Sequence, residues 1–132
     1  MRYESLNDAA TNPAVDAGVK PFYAAGGTQV WYMRQSWFAD GLLGSTPVIN
    51  SLESLSATHI KLGSVNTVGA EMIFAMMQGE RWSPCGEANG LIRELGLSHT
   101  SMLVGDIVVE PDGSVLICRS LDFQRIGEIH VV

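Results

Sequence analysis

The chain has 132 residues, 46% of them apolar and 17% charged, with 14 acids against 8 bases for a formal net charge of −6. A chain of this length is expected to form one domain, burying roughly two thirds of its unfolded surface without help from a disulfide or a metal. The charge balance argues against a nucleic-acid backbone or an anionic membrane surface as partner, because both need clustered Lys and Arg.

Two cysteines, Cys85 and Cys118, show neither Cys-x-x-Cys spacing nor a disulfide framework, as suits a reducing cytoplasm. The opening Met1-Arg2-Tyr3-Glu4 leads into polar residues rather than the apolar core of a signal peptide. No apolar run approaches the ~20 residues that span a bilayer. A soluble, cytoplasmic protein is expected.

In chain order, Leu6–Pro21 is rich in Asn, Asp, Ala, Gly and Pro and reads as a loop or loosely attached arm. In the following aromatic-rich segment Trp31, Gln35, Phe38 and Leu42 recur at helical spacing. They favour a short helix ending near Gly41, although Thr28–Met33 alone has the look of a strand. Residues 1–50 are therefore expected to form an arm and an aromatic segment, and 51–132 an α+β core within one globular unit. From Ala57 to Val65, Ile60 and Leu62 alternate with His59 and Lys61, the pattern of a half-buried strand. Asn66 or Thr67 is placed to cap a helix over about 67–78 that carries Met72, Ile73, Met76 and Met77 and stops at Gly79.

Ser83-Pro84 looks like an N-cap and first helical position, and Ala88, Leu91, Ile92 and Leu95 give an apolar stripe closed by Gly96, so a helix is expected over 84–95. Its stripe should pack against Ile107 and Val109 or against Met102 and Val104. A strand over 101–110, bent at Gly105-Asp106, should turn at Pro111-Asp112-Gly113 and pair with 114–120. A last strand is expected within Phe123–Val131, broken near Gly127. The fold class is α+β: an antiparallel sheet with a C-terminal meander packed by two short helices.

The stretch from Gly96 to Ile126 carries His99, Ser101, Val104, Asp106, Ile107 and Val108 in an order that resembles the core of the YodL-like domains. These are small uncharacterised proteins of plasmids, phages and integrative elements. The preceding "MQGERWSPCGEANGLIRELGL" is similar to the lead-in of their phage and plasmid members, so the resemblance spans about Ala57–Ile126. Leu103 stands where the relatives carry serine, and Asp122 precedes Phe123 where they have glycine. The resemblance implies a gene of the mobile pool, such as a phage, plasmid or integron-cassette gene. It brings no catalytic or binding residues with it.

Three readings compete for the polar residues of this stretch. An enzyme would use Cys85 or Ser101 as nucleophile, His99 as base and Asp106 as orienter. Cys85 is the stronger nucleophile because the helix expected to begin at Pro84 would favour its thiolate. A ligand-binding rim would use His99, Thr100, Ser101 and Trp82. A structural reading has Thr100 and Ser101 satisfying backbone groups, Asp106 holding its own turn, and the His99 ring covering a sheet edge. His59, His99, His130, Cys85 and Cys118 contain no short local pair of the kind zinc sites use, so no metal and no cofactor is expected.

The structural reading ranks first, the rim second and the active site third. The expected function is thus a non-catalytic interaction module of a mobile element, with a small cysteine-dependent hydrolase or transferase using Cys85 and His99 as the alternative. A protein partner is expected, and a second copy docking through Trp31, Trp37 and Phe38 is one candidate.

Overall fold

In the computed structural model, which describes residues 22–23, 27–35, 48–66, 69–120 and 122–129, the apolar run at Thr28–Met33 is a strand whose six residues are all buried. The elements are β1 (Phe22–Tyr23), β2 (Thr28–Met33), α1 (Leu52–Thr58), β3 (His59–Val65), α2 (Ala70–Met76), α3 (Gly79–Trp82), α4 (Asn89–Glu94), β4 (Ile107–Val109), β5 (Ser114–Cys118) and β6 (Phe123–Glu128). The strands form one antiparallel sheet in the order β1-β3-β2-β4-β5-β6. This is an α+β domain with the expected β4–β5–β6 meander.

Over Thr28–Met33 the aromatic segment is the strand that those residues alone suggested, and the remainder of the favoured helix, 36–41, lies outside the described residues. With both faces of the sheet covered, β2 needs apolar side chains on both sides, and such a strand loses its alternation. Val30 and Tyr32 enter one core with Leu62, Ile73, Met77, Trp82, Leu91, Ile92, Met102 and Val108. Trp31 enters the other with Ile49, Leu55, Ile107, Val109, Val115, Ile117 and Ile129. β2 lies between β3 and β4, so the expected division at residue 50 falls inside one sheet. Trp31 is also covered within its own chain, which removes it as an anchor for a second copy. Trp37 and Phe38 lie outside the described residues, as does Leu6–Pro21.

The stripe of α4 packs beside Met102, as one of its two expected arrangements has it, but with Val108 in the place expected for Val104, which joins neither core; Leu95 is partly buried. Ile107 and Val109 face the opposite layer, under Leu55 of α1. Ala57 and Thr58 close α1 rather than opening a strand. Ser51 caps that helix, its Oγ accepting from the Ser54 N–H at 3.1 Å while the Ser54 hydroxyl accepts from the Ser51 N–H at 3.0 Å. Gly69, not Asn66, stands at the N-cap of α2, and Gly79 opens α3 instead of ending the helix before it.

Two further expectations are corrected by backbone geometry. The helix proposed for 84–95 does not start at Pro84, because Gly86 turns the chain at φ +81° and regular helix begins only at Asn89. Ser83 still caps, but across the turn, its Oγ accepting from the Ala88 N–H at 2.9 Å. The strand proposed for 101–110 is confined to Ile107–Val109. Before it the chain turns at Gly105, whose φ of +101° suits glycine, and a Cβ there would lie 2.6 Å from the Met33 sulfur. Pro111–Gly113 makes the expected hairpin turn, pairing Ile107 with Ile117 and Val109 with Val115. The irregularity near Gly127 is a bulge, since Val115 pairs with Gly127 but Leu116 with Arg125.

Candidate functional site: the His99–Asp106 anchor

The segment 97–106 has no regular structure, and its polar atoms are tied to five surrounding elements, β2, β3, α2, α3 and β5. Asp106 is fully buried. Its Oδ1 accepts from the Met33 N–H at 2.8 Å, at the end of β2. Its Oδ2 accepts from the Leu103 N–H at 2.8 Å and from His99 Nε2 at 2.9 Å. The fold thus brings the expected base and orienter, His99 and Asp106, into hydrogen-bond reach. The expected local bond of Asp106 is present, although it reaches back to Leu103 rather than forward.

The His99 ring does not cover an edge. It lies flat against Tyr32, with ring centroids 4.6 Å apart and planes at 13°, and its side chain is only 12% exposed. Nε2 is turned to Asp106 and Nδ1 is buried. The neighbouring carbonyl of Thr100 accepts two bonds, from the Tyr32 hydroxyl at 2.7 Å and from the Trp82 indole at 3.0 Å. Ser101 Oγ accepts from the Gly79 N–H at 2.7 Å, in the first turn of α3, and the Met102 N–H donates to the Met77 carbonyl at 3.1 Å. Ser101 thus satisfies a backbone donor where helix passes to strand, as expected, whereas Thr100 acts through its carbonyl on the Tyr32 and Trp82 side chains. Trp82 is buried beneath them rather than standing at a rim.

The alternation places His59 opposite Ile60 and Leu62, on the face expected to meet solvent, yet it is fully buried. Its Nε2 donates to the Gly105 carbonyl at 2.7 Å, and its Nδ1 lies 2.6 Å from the Thr58 hydroxyl, which donates to it. These partners suit the neutral ring. Burial, the largest influence, pushes its pKa below the ordinary histidine value, against the Gly105 bond and the negative charge of Asp106, which pull the other way. Gly105 and Asp106 are therefore held from β3 by one histidine and from the 97–103 segment by the other. Nothing in the local alternation of Ile60 and Leu62 marks His59. Its burial follows from α1, which covers that end of the sheet.

Burial, followed by the charge of Asp106, raises the Tyr32 phenol well above its ordinary value, so it acts as a hydrogen-bond donor. Burial also pushes the Cys118 thiol up to about 11.

Cys85 stands apart from this group. It is exposed, in the turn around Gly86, and its own N–H donates to Glu87 Oε1 at 2.9 Å. It does not occupy the first turn of a helix. Among the described residues no three of His, Cys, Asp and Glu converge as a ligand set for a metal ion. No helix among them is long and apolar enough to cross a membrane.

Comparison of the chain with protein-family models, with curated proteins and with solved structures returns no match.

Proposed function

We propose that this chain is a non-catalytic binding module, carried by a mobile genetic element and acting on a protein partner. The observation that carries the reading is the state of His99. One ring nitrogen is turned to a fully buried carboxylate and the other is buried, so neither is open to take a proton from a substrate. Ser101 Oγ is engaged with α3, and Cys85 sits in an exposed turn with its backbone bonded to Glu87. A nucleophile, a base and an orienter that act together need mutual hydrogen bonds, and only the His99–Asp106 bond is present among these residues. The resemblance to YodL-like domains supports the mobile-element origin.

Thiol labelling at neutral pH tests this reading against the cysteine hydrolase or transferase. Cys85 is expected to react at the rate of an ordinary exposed thiol, unchanged by His99→Gln, and Cys118 only when the chain unfolds. If Cys85 reacts far faster than glutathione and His99→Gln abolishes the excess, the enzyme reading replaces the module.

A further inference from the structure

The binding-module reading leaves the docking surface unassigned. An open depression of about 180 Å³ lies between α2 and the β5–β6 turn, lined by Glu71, Phe74, Cys118, Arg119, Ser120, Asp122 and Phe123. Its floor is aromatic: Phe74 and Phe123 meet edge to face, centroids 6.5 Å apart at 78°. Phe74 remains 37% exposed, so the aromatic floor reaches water.

The charges at the rim are unequal in their engagement. Arg119 donates from Nε to Gln124 Oε1 at 3.3 Å. Glu71 and Asp122 are exposed carboxylates whose side chains make no hydrogen bond or ion pair among the described residues. An apolar floor flanked by two carboxylates against one guanidinium, a net negative rim on a chain of net charge −6, is complementary to a bulky apolar side chain with a cationic neighbour. The cation gains both from the carboxylates and from the exposed face of Phe74. A second copy of this chain fits poorly, because two acidic surfaces would meet.

We propose that this depression is the docking site of the module, and that it takes a segment of a partner protein in which an aromatic or large aliphatic side chain lies beside Arg or Lys. The proposal rests on the binding-module reading. The aromatic residue fills the space over Phe74 and Phe123, and its basic neighbour reaches Glu71 and Asp122. Recognition of this kind depends on charge for its selectivity and weakens with added salt.

The test uses the 132-residue chain labelled with nitrogen-15 and two tripeptide amides as probes, acetyl-Arg-Phe-Arg-amide and acetyl-Glu-Phe-Glu-amide. The basic peptide is expected to shift the backbone signals of residues 71–74 and 118–123, with the acidic peptide weaker by about tenfold. The double variant Glu71→Lys with Asp122→Lys changes only exposed side chains and should reverse the preference. Equal response to both peptides, no response to the basic one, or shifts elsewhere on the chain would overturn the proposal. So would concentration-dependent shifts of the same signals without peptide, which would name a second copy as occupant. Failure here leaves Cys85 reactivity unaffected, so loss of this surface and loss of the module reading are separately visible.

Discussion

Two irregular segments flank α4, and they are built in opposite ways. Residues 97–106 are fixed by side chains and backbone of β2, β3, α2 and α3 through Met33, Tyr32, His59, Met77, Gly79 and Trp82. Residues 83–88 are held by one serine cap and the turn at Gly86, with Pro84, Cys85 and Glu87 exposed. The first segment carries the residues that most resemble catalytic ones, yet their polar atoms are occupied in holding the chain. The second carries the accessible thiol but no base. A cluster of chemically capable residues thus indicates a site only when some of that capability remains unspent.

The contrast can be broken most directly at Asp106. Asp106→Ala removes the acceptor for two backbone donors and one imidazole in a buried place, and should cost about 3–5 kcal/mol in chemical denaturation. A loss under about 1 kcal/mol would mean that the anchor contributes little. Tyr32→Phe removes only the hydroxyl bonded to Thr100, which keeps its Trp82 partner, and should cost about 1–2 kcal/mol by the same measurement.

Acid should act on the same segment through His59. In the unfolded chain this residue titrates near 6.5, whereas in the fold burial lowers its pKa. As the pH falls through about 6.5 the unfolded state takes up a proton that the folded state refuses, so stability falls below that pH and is fully present above it. Denaturation midpoints measured from pH 7.5 to 5 should decline more steeply in the parent chain than in His59→Gln. Equal slopes would show that His59 is not the group responsible.

The other segment should respond weakly. Ser83→Ala removes the acceptor of the Ala88 N–H and should cost about 1 kcal/mol. Cys85→Ser should change stability by no more than about 0.5 kcal/mol, as expected for an exposed side chain without partners in the core. A larger loss from Cys85→Ser than from Ser83→Ala would invert the comparison.

The parts of this arrangement that were legible in the sequence are those that local chemistry decides. Pro111-Asp112-Gly113 sets a turn through its own backbone preferences, and the meander around it followed. Leu91 and Ile92 declared a buried helical face, and Ser101 declared a residue that satisfies a backbone donor. What stayed hidden depends on partners distant in the chain. Val30–Met33 is buried on both faces of its strand and so shows no alternation, which leaves its spacing compatible with a helix as well as a strand. Ser83-Pro84 imitated a helix start, whereas the serine reaches past Gly86 to Ala88. His59 and the closure of His99 on Asp106 required knowing that β2 and β3 meet the Gly105 turn.

The strand order also sets a timetable for the chain during synthesis. β2 emerges before both of its neighbours, and its bond partner Asp106 follows Met33 by 73 residues. At ribosomal speeds that is a wait on the order of ten seconds, with a run of large apolar side chains lacking the β4 side of its pairing. Such long-range pairing folds slowly, and it exposes the nascent chain to aggregation for that interval. Val30–Met33 is therefore where a chaperone has most to protect, and slowing translation between β2 and β4 should lower the yield of soluble protein.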